Sequence, residues 1–355
     1  MASEPVARKT RNGRARSGGL ERVGLTVGRL GTVLGLLLLV AVFAALKPSV
    51  FPTVRNLLNI LNQISLLGIC AAGLTLCLAV GEFDLSIGAV ATLGAVLTAG
   101  WMPTMHPVLA VLAVLGVCLV IGLANGLIIT TLRVSSFMTT LGMMTVLMGF
   151  SYWYTSGSGA ILYSGIPEGF LRVGKGTVLH IPYLVFFMLG TLLLLHLLLQ
   201  HTTTGRRMYA VGGSLEAARF AGISINRLKI LGFVLSGTLA GLTGVLLVAR
   251  LGLAEPTIGD RFLFDCFTVA FVGAASIRIG RFHILGTLIG TLIMGTIFNG
   301  FTLLDVPYHL QLVVQGSILI AAVTSAGLWQ GLLRSVRLRS ARGEMVHKEE
   351  GRRRA

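Results

Sequence analysis

Two acids stand where an apolar chain has least use for them. In Gly81-Glu82-Phe83-Asp84-Leu85-Ser86, Glu82 and Asp84 fall between two long apolar runs. Ionisable groups in or beside membrane-spanning segments are costly, so these acids, with Ser86, are candidates for a solute pathway. Asp84 has a second possible task, accepting from the free amides of a helix that begins at Leu85, with Ser86 also near that start. The two tasks are compatible, because a helix start facing a pathway needs satisfied amides and can also offer polar contacts. Asn125 and Asn299, each followed by Gly in an apolar stretch, are either pathway contacts or interhelical hydrogen-bonders. Glu255, Asp260, Arg261 and Asp265 form a further polar cluster, either a solvated loop or a landing surface for an external partner.

Reaction chemistry is missing from the pattern. There is no Gly-x-x-x-x-Gly-Lys-[Ser/Thr], and Gly174-Lys175-Gly176 fails that spacing, so this chain binds no ATP through a P-loop. His-Glu-x-x-His and Gly-x-Ser-x-Gly are also absent. The seven histidines are scattered, and Cys70, Cys77, Cys118 and Cys266 all lie in apolar segments without metal-ligand spacing. No catalytic residue, metal or cofactor is expected.

The elements that must position the candidate residues are membrane helices. Mean hydropathy is +0.85, with 54% hydrophobic and 12% charged residues, which excludes a soluble globular protein. Repeated apolar runs of about twenty residues fit a multi-spanning helical protein, and the short alternating segments of a barrel do not occur. The net charge of +16 is placed for a membrane rather than for nucleic acid. Of 29 Lys and Arg, seven precede Leu30, eight follow Gln330 and five sit in one central loop. That is the positive-inside pattern, aided by anionic lipid headgroups. Both tails then lie inside and the number of crossings is even. The apolar runs give ten: 30–46, 57–80, 86–100, 108–132, 137–154, 183–200, 230–251, 267–277, 284–303 and 310–326. The first reads as a retained anchor rather than a signal peptide. The chain thus divides into a basic tail (1–29), a transmembrane domain (30–328) and a second basic tail (329–355).

The central loop, 201–229, carries a helix signature of its own. Ser214 is placed to cap it, Glu216 lies in its first turn, and Gly222 supplies a left-handed stop. Ala217, Phe220 and Ala221 share one face. Arg206, Arg207, Arg219, Arg227 and Lys229 put the loop on the cytoplasmic side. It is either a docking element or an ordinary capped connector.

Two further patterns concern architecture. Val80-Gly81, Ile87-Gly88 and Gly94 recur as Val272-Gly273, Ile279-Gly280 and Gly286 at a constant offset of 192. Interrupted apolar segments in corresponding positions are the sign of a repeat-built transporter. Gly232, Ser236, Ala240 and Gly244, with Gly237 and Gly241 beside them, form ridges of small residues for close helix contact, within the subunit or across a dimer.

Glu216-Ala217-Ala218-x-x-x-Gly222 resembles the cytoplasmic loop of permease subunits of bacterial ABC importers, though the apolar pair and Pro that usually follow are missing. Gly81-Glu-Phe-Asp-Leu-Ser-Ile-Gly88 is similar to the Gly-Gly-x-Asp-Leu-Ser-x-Gly signature of the ribose-type branch, which serves ribose, xylose, arabinose, galactose and the autoinducer-2 signal. Glu82 departs from that signature, as does Ala275-Ser276-Ile277-Arg278 from its counterpart. The resemblance covers about 56–323. It implies a permease of the bacterial inner membrane that works as a homodimer or with a related chain, and the apolar runs and charge pattern give it ten spans with both tails inside. It also implies two ATPase subunits inside, docked at Glu216, Ala217, Ala218, Arg219 and Gly222, and a solute-binding protein outside. The pathway residues would be Glu82, Asp84, Ser86, Asn125 and Asn299. The rival expectations are an ion-coupled secondary transporter acting alone and an enzyme of lipid-linked substrates.

Overall fold

Apolar length sets the elements, and their interruptions set the site. The computed structural model describes residues 31–156, 165–277 and 280–324; the basic tails predicted for 1–29 and 329–355 lie outside them. Thirteen helices are described: α1 (Gly31–Leu46), α2 (Val54–Ala79), α3 (Ile87–Trp101), α4 (Pro107–Thr131), α5 (Ser136–Tyr154), α6 (Glu168–Lys175), α7 (Tyr183–His201), α8 (Thr203–Gly213), α9 (Leu215–Phe220), α10 (Ile225–Leu251), α11 (Asp260–Ala274), α12 (Ile284–Leu303) and α13 (Tyr308–Thr324). The only sheet among the described residues is a two-residue antiparallel hairpin, β1 (Thr177–Val178) with β2 (Ile181–Pro182). This is an all-α membrane protein. α2, α4, α7, α10 and α12 are each long and apolar enough to cross hydrocarbon.

α3 and α11 are shorter. At 15 residues each they extend about 22 Å at a 1.5 Å rise, less than a hydrocarbon core of about 30 Å. Each borders a gap whose described residues are non-helical: 80–86 between α2 and α3, and 275–277 with 280–283 between α11 and α12.

α10 lies at the centre because its small residues allow it. Gly237 faces Cys118 and Gly122 of α4, and Gly244 meets the backbone of Ala91 and Ala95 on α3 so closely that a Cβ would not fit. Gly73 of α2 faces Ser236 on a third side. The small-residue ridges therefore pack within one subunit. Such contacts replace the hydrophobic drive that lipid tails do not provide.

Three expectations need correction. The 192-residue register does not survive: Gly81 and Gly280 take positive φ inside the gaps, whereas Gly273 and Gly88 lie inside α11 and α3. Both gaps exist, but their glycines do not correspond. α10 begins at Ile225 rather than Ile230, because Lys229 has an acidic partner and need not remain in the loop. α11 begins at Asp260 rather than Phe267. There Arg261 stacks over the rings of Phe298 and Tyr308, at 6.0 and 5.2 Å, and Asp265 accepts from Gln315 Nε2 at 2.5 Å, so these polar residues can enter the helix. The same cluster lines a cleft of about 380 Å³.

Candidate functional site

The first gap is a chain of hydrogen-bonded polar groups. Asp84 is 2% exposed. One carboxylate oxygen accepts from the Ser86 amide at 3.1 Å and the Ser86 hydroxyl at 2.6 Å. The other accepts from the Ser236 hydroxyl of α10 at 2.7 Å. Asn125 of α4 donates its amide to Ser86 Oγ at 3.0 Å, while its own Oδ1 is buried without a hydrogen-bond partner. Helix α3 starts at Ile87 with Ser86 as N-cap, and no side chain caps it. Asp84 therefore closes a tight local turn onto Ser86 rather than capping a helix from Leu85.

The Val80, Gly81 and Glu82 amides bond back to α2 carbonyls, and two further gap amides are met from α5. Ser136 Oγ accepts from Phe83 N–H at 3.2 Å, and Thr140 Oγ1 accepts from Leu85 N–H at 3.0 Å. Two hydroxyls four residues apart share a helix face, so one side of α5 serves both. Non-helical backbone at membrane depth is tolerable only where such partners exist. Glu82 forms an ion pair with Lys229 near the start of α10.

The structure thus brings Asp84, Ser86 and Asn125 together and places Glu82 at their edge. Asn299 lies elsewhere. It exchanges amide hydrogen bonds with Asn56 at 2.9 and 3.0 Å, and Asn56 also donates to the Phe51 carbonyl. Asn56 is at the opposite end of α2 from the gap, about 35 Å away along the helix. Asn299 clamps α12 to α2. Ser236, Lys229, Ser136 and Thr140 complete the site and were not among the predicted site residues. Ser236 read as a packing residue and Lys229 as a topology charge.

The second gap packs nearby. Phe83 stacks on Phe267, Phe267 on Phe271, and Phe271 meets Phe282 edge-on, with centroids 6.3, 6.4 and 5.2 Å apart. A file of four rings thereby joins the gaps. His283 accepts from Gly286 N–H through Nδ1 at 2.7 Å, capping α12. Arg281 lies 4.8 Å above the Tyr209 ring of α8. Thr32 of α1 donates to the Ala275 carbonyl at 3.3 Å.

α9 has the opposite character. Ser214 Oγ accepts from Ala217 N–H at 3.2 Å, and Gly222 turns left-handed at φ 69°. Gly222 N–H donates to Arg219 and Ile223 N–H to Ala218, the paired bonds of a glycine-stopped helix end. Ala218 is 2% exposed and anchors the helix, while Phe220 is 93% exposed. Glu216, Ala217, Arg219 and Gly222 are also exposed. α9 is thus a short element with both ends capped and a large aromatic exposed.

A helical bundle interrupted around buried polar groups, with an exposed capped element at one end, defines an integral membrane permease. The chain belongs to the family described as branched-chain amino acid transport system / permease component, whose model matches residues 56–323. It is 39% identical to the ribose import permease protein RbsC of Bacillus subtilis (strain 168), over 83% of this chain and 91% of that protein. It is 38% identical to RbsC of Escherichia coli (strain K12), over 82% and 91%. Identity to the L-arabinose ABC transporter permease protein AraH of Azospirillum brasilense is 34%, over 87% and 89%. No solved structure matches the chain. The protein is a permease subunit of an ABC importer in the bacterial inner membrane, and not itself an enzyme.

Proposed function

We propose that this permease carries a monosaccharide or a similar small polar solute inward. The observation that supports this most directly is the similarity to permeases named for ribose and L-arabinose, which runs through both gaps and the 201–229 loop. The chain crosses the membrane ten times, as α1–α5, α7 and α10–α13, with both tails in the cytoplasm. An exported solute-binding protein delivers the solute to the outer face, where the Asp260–Arg261–Asp265 cleft lies. A second permease copy or a related chain completes the pore, and anionic lipid meets the basic tails.

An ATPase subunit docks on α9 through Glu216, Ala217, Arg219, Phe220 and Gly222, with Ala218 holding the helix to the permease. ATP-driven closure of the ATPases displaces α9, and the bundle passes from outward-open to inward-open. Asp84, Ser86 and Asn125 line the pathway with Glu82 beside them. The unpartnered Asn125 oxygen is an acceptor suited to a hydroxyl donor. Asn299 is not assigned a pathway role, since its amide is engaged at the far end of α2.

The test is uptake of labelled ribose, L-arabinose and leucine by proteoliposomes holding the permease, its ATPase and its binding protein. ATP-dependent accumulation of either sugar, with leucine excluded, is expected. Accumulation of leucine alone would overturn the assignment of solute class.

A further inference from the structure

The first gap is gripped by the two helices that flank α9 in sequence. Lys229 and Ser236 are seven residues apart on α10 and so share a face. Lys229 pairs with Glu82, Ser236 donates to Asp84, and Gly232 between them packs against Val80. α10 therefore holds residues 80–84 at three successive points. From another side, Gly212 of α8 meets the backbone of Ala79 and Gly81 so closely that an added Cβ would collide with the Ala79 carbonyl. Ser214 alone separates α8 from α9, and residues 221–224 separate α9 from α10. A displacement of α9 thus has short paths to the gap through both neighbours.

We infer that Glu82 and Lys229 are positioning residues for transport, their ion pair passing displacement of α9 through α10 to the Asp84–Ser86–Asn125 cluster. The inference rests on reading α9 as the element that receives the ATPase. Both side chains are largely withdrawn from solvent, at 11% and 16% exposed, so salt screens the pair weakly. A fully exposed pair would contribute little and transmit little. The other side-chain bonds to the gap come from neutral groups, the hydroxyls of Ser136, Thr140 and Ser236 and the Asn125 amide, which a small shift can exchange. The ion pair is the charged attachment between the coupling end of α10 and the gap, and it lies seven residues closer to α9 than Ser236.

The experiment uses the permease–ATPase complex with its binding protein in proteoliposomes. Solute carried per ATP hydrolysed, melting temperature and ATPase co-purification are measured for each variant. Glu82→Gln and Lys229→Met are expected to lower solute carried per ATP by about two- to thirtyfold, the range for residues along a coupling network, with the ATPase still bound. Lys229→Arg, and the exchange Glu82→Lys with Lys229→Glu, are expected to keep most of the wild-type ratio. A lower melting temperature with an unchanged ratio marks a merely structural pair and overturns the proposal, as does an exchange variant that assembles without regaining the ratio. Where the single variants do not assemble, Lys229→Arg and the exchange decide: a kept ratio supports the linkage and a lost one overturns it. A wild-type chain that binds no ATPase would instead defeat the docking reading beneath it.

Discussion

Residues 80–86 are held by side chains from elsewhere: Ser136 and Thr140 of α5, Asn125 of α4, and Lys229 and Ser236 of α10. The described bonds of residues 275–277 and 280–283 are mostly local, apart from Thr32 of α1 on the Ala275 carbonyl and Arg281 on the Tyr209 ring. Ser276 Oγ donates to Gly273, Gly280 N–H donates to Ala274, and His283 caps the helix that follows it. A segment bonded to several helices changes when those helices move relative to one another. A segment bonded to its own flanks travels with them. We therefore expect the first gap, tied to α4, α5 and α10 at once, to register rearrangement of the bundle more than the second.

Substitutions can break this contrast. Asp84→Ala should have the largest effect, because it leaves the Ser86 and Ser236 donors unpaired in a buried site. Three hydrogen bonds to the carboxylate are lost, each worth about 1.5–3 kcal/mol and offset in part by no longer burying a charge, so a loss of about 3 kcal/mol or more is expected in thermal unfolding of the detergent-solubilised permease. Ser276→Ala in the second gap should cost less than about 1 kcal/mol. Equal losses at the two positions would dissolve the distinction.

Thr140→Val tests the same contrast at intermediate size. It keeps the shape but removes the acceptor for Leu85 N–H, and a buried donor left unmet costs about 1–3 kcal/mol. Faster hydrogen exchange across residues 83–87, with 275–283 unaffected, is the expected signature. Exchange that rises equally in both segments would show that they behave as one unit. Arg281→Ala is the smallest. Removal of its stacking on Tyr209 should cost about 0.5–1 kcal/mol, with little change in uptake by the assembled importer. A loss of uptake comparable to that of Asp84→Ala would mean that the second gap transmits as well.

Much of this was legible before the structure, and the reasons are physical. Apolar runs report helices because length and hydropathy are local properties, so α12 matched its expected bounds residue for residue. Ser214 and Gly222 announced α9 because caps act within a few residues. The partners of the gap were not legible. Ser236 is 152 positions from Asp84, and nothing in a ridge of small residues says which of them will meet a carboxylate. Lys229 was counted as a topology signal, yet it turns inward to Glu82. Asn125 and Asn299 looked alike in sequence, each an amide before Gly in an apolar run. One joins the gap and the other pairs with Asn56. The 192-residue spacing also failed, since the helices before the gaps end at Ala79 and Ala274 and those after begin at Ile87 and Ile284. Both separations are larger than 192, and they differ from each other.

The central claim is that work enters through α9 from a separate ATPase and reaches the polar cluster by way of α10. Its most direct test compares labelled-sugar uptake by proteoliposomes containing the permease alone with uptake by those containing the permease, its ATPase and its binding protein. Accumulation against a gradient is expected only in the complete set with ATP. Concentrative uptake by the permease alone, driven by a proton or sodium gradient, would contradict it.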